Sequence, residues 1–218
     1  MLAAPHVQIA AHWWSAENTP NSDIRTLVPF LFLTTDALYA SASQFPEMWA
    51  PQRSMKMRCG GTNSLVISFD IGPEALFALR GAVGLSGDAY CLVRRLQASK
   101  IERLNQPLAE MATALEKFRD LRNFFSHLDD RLAHLDRHGI TGTVSAGCGI
   151  EYENAKGCFH LVLMGNRIHF TSSGVALEVD VSKVAVLNML RSARLLYAEI
   201  TSHKIHKQNY PGPEALYA

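Results

Sequence analysis

Charge is scarce in this chain. Lys, Arg, Asp and Glu make up 19% of its 218 residues, and 21 basic against 20 acidic side chains leave a formal charge of +1. A domain that binds nucleic acid over a broad surface carries a clear basic excess. That footprint is absent, so any polyanion site has to be a local cluster. Cysteine is sparse too: Cys59, Cys91, Cys148 and Cys158 are far apart and form no Cys-x-x-Cys pair. This argues against a zinc ribbon, and a chain this long and apolar does not need a disulfide framework. The four thiols read as small reduced hydrophobes. No Lys or Arg precedes Arg25, so the start lacks the charged region of a secretory signal. The most lipid-like run, Leu27 to Ala40, is interrupted by Pro29 and Asp36 and is too short to span a bilayer. There is no internal repeat and no low-complexity tract. The expectation is a cytoplasmic protein with no membrane association and no cofactor.

What is present is apolar: 48% of the residues are hydrophobic, enough to bury a core in one generous domain or in one domain with an insertion. Residues 1–21 read as an irregular arm with His12-Trp13-Trp14 as its apolar element. Ser22 and Asp23 suit a helix start, and Leu27, Phe30, Leu31, Leu38 and Tyr39 supply its apolar face. Pro29 is expected to kink or delay that helix. Residues 44–63, rich in Pro, Gly, Ser and Asn, read as a connector. Ser64 to Ile71 reads as a short strand, and Gly72-Pro73-Glu74 opens a helix. Gly81, Gly84 and Gly87 weaken that helix, with a break expected near Ser86 before it resumes through Leu96 and Leu104.

The clearest element runs from Pro107 to Asp136 and is closed by His138-Gly139. After it the hydrophobic period changes from helical to alternating. Ile140–Ala146, Cys158–Met164, Arg167–Thr171 and Val175–Val181 read as strands, with Gly165-Asn166 and Ser172-Ser173-Gly174 as turns. A last helix follows from Ser182 to His203, with Val184, Val186, Leu187, Leu190, Leu195 and Leu196 as candidate core, and residues 206–218 read as a loose tail. The pattern predicts a mainly α fold: a helical domain over 22–205 with a small antiparallel β insertion at 140–181, before the last helix.

On a helical wheel the long element has two faces. Leu121, Phe125, Leu128, Leu132 and Leu135 form the expected core stripe. Opposite them fall Asn123, His127, Asp130 and His134, with Ser126 beside them and Arg122 at the edge. A solvated polar face accounts for such a strip equally well. The residue types, however, are those needed to cleave RNA without a metal: a phosphate clamp, an orienting amide and a base that titrates near neutrality. Arg122, Asn123 and His127 resemble the active-site signature of the HEPN superfamily, an Arg, a polar residue and then a His. A second spacing, Arg131 to His138, has Leu132 in place of the polar residue and runs off the helix end at Gly139.

The resemblance implies a HEPN-like helical bundle, commonly a homodimer with two motifs meeting across the interface, and metal-independent endoribonuclease activity on single-stranded RNA. His127 would deprotonate the ribose 2′-hydroxyl, Arg122 would neutralise charge on the phosphate, and Asn123 would orient one or the other. A second His127 from a symmetric partner would protonate the leaving oxygen. Asp130 would tune His127, and Ser126 and His134 would be further supporting residues of the site. The family association adds a setting in antiviral defence or toxin-antitoxin systems, with a cognate regulator or antitoxin. Two alternatives stay open. One is a catalytically inert HEPN-like dimerisation or nucleotide-binding module, which the neutral net charge suits. The other is a metal-binding helical bundle using His127, Asp130 and His134, which would need ligands from another helix.

Overall fold

The computed structural model describes residues 22–51, 55–100 and 102–202. The expected N-terminal arm, its two tryptophans, and the 206–218 tail lie outside the described residues. About 54% of the described residues are helical and 26% are strand, with a six-stranded mixed sheet. This corrects the mainly α, helical-bundle expectation to an α/β fold. The chain divides into two units: residues up to Gln44, Gly81–Phe118 and from Val186 on form the first, and Phe45–Arg80 with Arg119–Ala185 form the second.

The first unit is helical. It holds α1 (Ser22–Ser43), α2 (Pro73–Ala98) from Gly81 onward, a 3-10 turn (Glu102–Leu104), α3 (Asn105–Glu116) and α7 (Lys183–Ser202) from Val186 onward. Its buried residues recur at three- and four-residue spacings, as an amphipathic helix requires: Val28, Leu31, Phe32 and Leu38 on α1, Leu108, Met111 and Leu115 on α3, and Val186, Met189, Leu190 and Ala193 on α7. Pro29 does not delay α1, which begins at Ser22 and continues past it. The glycines do not break α2 either. Ser86 is buried and its hydroxyl donates to the Val83 carbonyl at 2.7 Å, so its polar group is satisfied within the helix. At 26 residues α2 is the longest helix described, a place the sequence assigned to 107–136. By length and composition it could cross a bilayer. Leu79, Val83, Val93 and Leu96 are nevertheless buried within the protein, as in a core helix.

The second unit is built on β4 (Ile150–Met164), fifteen residues long. Its first half pairs in parallel with β1 (Met57–Thr62) and antiparallel with β3 (Ile140–Ser145). Its second half pairs in parallel with β2 (Leu65–Ser68) and antiparallel with β5 (Arg167–Ser172), which carries β6 (Val175–Asp180) at its side. The sheet is therefore mixed and recruits two strands from before α2. The expectation of a purely antiparallel insertion at 140–181 left both outside the sheet: β2 falls within the strand expected at 64–71, but β1, Met-Arg-Cys-Gly-Gly-Thr, was missed because it has neither alternation nor β-branched residues until its end. Trp49, in the presumed connector, is buried, and its indole N–H donates to the Val181 carbonyl at 2.7 Å.

β4 cannot be straight. The Tyr152 hydroxyl meets His160 Nδ1 at 2.6 Å, yet eight residues of extended strand would span about 26 Å. The bend falls at Asn154 (φ 52°) and Gly157 (φ 69°), between the two halves. The strand curls over its own core of Cys59, Ile140, Cys148, Ile150, Tyr152, Cys158 and Val162. The other face of the second half presents Phe159, Leu161 and Leu163, with Ile168 and Phe170 from β5.

Candidate functional site

The segment carrying the Arg-Asn-x-x-x-His pattern belongs to the second unit and packs on this sheet. It is not one helix. Residues 107–136 divide among α3, α4 (Arg119–Ser126), α5 (Leu128–Ala133) and α6 (Leu135–His138). The breaks between the last three fall at His127 (φ −125°, ψ 28°) and His134 (φ −126°, ψ 56°). Charge placement explains the segmentation. Asp120 opens α4, Asp129 and Asp130 open α5 with Arg131 at its end, and Asp136 opens α6 with Arg137 and His138 at its end. Each pair complements a separate short macrodipole.

Each break resets the helical wheel, so the predicted stripe is only partly the core. Leu121 is fully buried as expected, but its buried companion is Phe124, while Phe125, Leu128, Leu132 and Leu135 are half-buried. The Phe124 ring stacks on Phe159 at 5.7 Å and leans on Phe170 at 5.0 Å. Arg131 is buried as well. Its guanidinium lies 5.7 Å from the Phe124 ring centre and donates to Ser172 Oγ at 2.8 Å. The arginine of the second motif spacing is thus a structural tie between α5 and β5.

Of the site residues, Arg122 and Asn123 are brought together. Arg122 Nη2 and Nε donate to Asn123 Oδ1 at 2.9 and 3.3 Å, and both residues are half-buried. Ser126 and His127 are exposed at the end of α4. Among the described residues the His127 side chain has no hydrogen bond or ion pair, and only its carbonyl is engaged, by the Arg131 amide at 3.0 Å. Asp130 is turned elsewhere. Its carboxylate faces His134 Nδ1 at 3.3 Å and His138 Nε2 at 3.5 Å. His138 was missing from the sequence-derived site, although spacings of four and eight from Asp130 mark it. Among the described residues no group of three or more His, Cys, Asp and Glu is placed to hold a metal.

A second polar cluster lies inside the curled sheet. His160 is fully buried. Its Nδ1 meets the Tyr152 hydroxyl at 2.6 Å and Thr171 Oγ1 at 3.0 Å, while its Nε2 has no hydrogen-bond partner. Burial, and then the nearby His169, push its pKa down to about 4, and burial raises that of the Tyr152 phenol. His169, also buried, lies 3.5 Å from Glu178, which is held by Arg167 at 2.6 Å. Burial raises the Cys59 and Cys148 thiols above their ordinary value, which suits packing and opposes nucleophilic chemistry. One cleft beside Asp70 and Met164 holds about 20 Å³, room for one water, far from the size of a ligand pocket.

No protein-family model, no curated protein and no solved structure matches the chain.

Proposed function

We propose that Arg122, Asn123 and His127 form a metal-independent endoribonuclease site acting on single-stranded RNA. The observation carrying this reading is the pairing of an anchored cation with an unengaged base on one short segment. Arg122 is oriented by Asn123, and His127 is left exposed where α4 ends. His127 takes the proton of a ribose 2′-hydroxyl; its oxygen attacks the adjacent phosphorus, and the bond to the 5′-oxygen breaks. The products are a 2′,3′-cyclic phosphate and a 5′-hydroxyl. Arg122 neutralises charge gathering on the non-bridging oxygens. Protonation of the departing 5′-oxygen falls to His127 of a second copy, so the working unit is a homodimer. The resemblance to the HEPN signature is confined to this segment. The reading places the protein in the cytoplasm, where RNA is available, in a defence or toxin-antitoxin role under a cognate regulator.

The test is cleavage of a mixed panel of single-stranded RNAs in the presence of EDTA. Wild type should cut, while His127→Ala and Arg122→Ala should not, with unchanged circular dichroism. Light scattering should give a dimer. A wild-type protein that cuts nothing, or a monomer that cuts, refutes the corresponding part. The second reading, an inert dimerisation or nucleotide-binding module, is favoured by Asp129 and Asp130 beside His127, whose charge opposes a polyanion.

A further inference from the structure

Next to the motif segment stand a cation and an aromatic ring that the cleavage chemistry does not use. Arg80, on the part of α2 that belongs to the second unit, is exposed, and its guanidinium carbon lies 5.6 Å from the centre of the Phe125 ring. Among the described residues no carboxylate pairs with it. Phe125 follows Arg122 by three residues, one turn along α4, so the two are surface neighbours on that helix. Arg80 is thereby tied to the helix that carries Arg122. That ring is fixed in turn, because Phe125 meets the buried Phe124 edge-on at 5.6 Å.

One turn before Arg80 on α2 comes Phe77, 82% exposed, the most exposed of the large hydrophobic side chains described. A single exposed ring is ordinary. An exposed ring one turn from a pinned, unneutralised cation is the combination that single-stranded nucleic acid uses. A base stacks on the ring, and a neighbouring phosphate takes the cation. The positive charge of Arg80 beside the exposed ring favours a polyanion over an apolar protein partner. Arg80 is pre-oriented by the ring beneath it, so little side-chain entropy is lost when it binds.

We infer that Phe77 and Arg80 form a single-stranded RNA-binding surface beside the Arg122–Asn123–His127 segment, Phe77 stacking a base and Arg80 holding the adjoining phosphate. The choice of RNA rests on the cleavage reading; the binding geometry does not.

The probes are a fluorescent 2′-O-methyl oligouridylate, which has no free 2′-hydroxyl to be cut, and an abasic strand of the same backbone. Binding is followed by anisotropy over a salt series. Phe77→Ala should weaken binding of the base-bearing strand by about tenfold or more and leave the abasic strand unaffected. Phe77→Trp should restore it. Arg80→Gln should weaken both strands and flatten the salt dependence, by about 0.7 in the logarithmic slope for one lost phosphate contact. The inference is overturned if wild type binds neither strand, if Phe77→Ala changes neither, or if Phe77→Ala instead alters the oligomeric state in light scattering. Wild type that binds in the expected pattern but cuts no RNA refutes the cleavage reading alone. RNA cleavage together with unchanged binding by both variants refutes this inference alone.

Discussion

Acidification should act on the fold through His160. The imidazole is fully buried against Tyr152 and Thr171, and its pKa is lowered to about 4 from an ordinary value of 6.5. Nδ1 lies within hydrogen-bond distance of both hydroxyls and Nε2 has no partner among the described residues, so no anionic group supports the imidazolium, and a second proton would place a charge beside uncharged groups and His169. The direction follows from proton counts. Between pH 6.5 and pH 4 the unfolded chain binds a proton that the folded chain refuses, so stability falls as pH falls through this window and levels off below it. The shift of 2.5 units at about 1.36 kcal/mol per unit sets a limit of roughly 3 kcal/mol, of which about 2 kcal/mol is lost between pH 7 and pH 5. The lowered pKa of His169 adds in the same sense, while Glu178 opposes it. Urea unfolding at pH 7, 6 and 5 and constant ionic strength, on wild type and on His160→Asn, isolates the effect. Asn keeps an acceptor for Tyr152 and cannot be protonated in this range. Wild type should lose about 2 kcal/mol more than the variant between pH 7 and pH 5. Parallel pH profiles for the two proteins would refute a buried neutral imidazole at this position.

Other expectations concern packing and the site. Gly139→Ala should destabilise by about 2 kcal/mol, since its new methyl would lie 2.4 Å from the Gly157 carbonyl carbon and 2.6 Å from the Leu135 carbonyl oxygen; an unchanged melting temperature would contradict the close approach. Phe124→Ala should cost about 3–5 kcal/mol in urea unfolding, because its ring is fully buried between Phe159 and Phe170. Phe125→Ala should cost clearly less. His127→Ala should leave stability within about 0.5 kcal/mol, as an exposed side chain with no described partner; a large loss would remove the base from the proposed chemistry. Asp130→Asn should leave RNA cleavage intact, because its carboxylate faces His134 and His138; a loss comparable with His127→Ala would show that the carboxylate acts on His127.

Much of the second unit was legible from period and turn chemistry. The strands at 140–145, 167–172 and 175–180 fall where the hydrophobic pattern placed them, because each is short and the last two are set off by the turns at 165–166 and 173–174. β4 was read from Cys158 alone, since Glu151, Glu153 and Lys156 face outward and break the apolar run ahead of it. The parallel pairing of β1 and β2 was illegible for a different reason, although β2 falls within the strand expected at 64–71. Their order comes from pairing with β4 more than ninety positions later, and β1 contains two adjacent glycines that no strand scale favours. Gly139 was read as a helix stop that needs conformational freedom. Its φ of −81° and ψ of 164° are open to any residue, and what it supplies is room for Gly157. Which of the candidate site residues contact one another was not legible. Spacing put Asn123 and His127 on one face and assigned Asp130 to His127, while the structure joins Arg122 to Asn123 and Asp130 to the two later histidines.

The interrupted helix and the emptiness around His127 have one origin. A continuous helix from 107 to 136 would have carried Asp120, Asp129, Asp130 and Asp136 at scattered depths, where only those near its start could use the macrodipole. Dividing it at 127 and 134 places each acidic group in a first turn and Arg131, Arg137 and His138 in last turns. The division also lets Phe124 and Arg131 both reach the sheet, one against Phe159 and Phe170 and the other against Ser172. The residue at the first break then belongs to neither helix. Its side chain is not needed for capping, since α5 has no side-chain cap there, and not needed for packing, since it is exposed. The backbone thus fixes the position of His127 while leaving its imidazole with no partner among the described residues, five residues after an arginine that Asn123 holds in place.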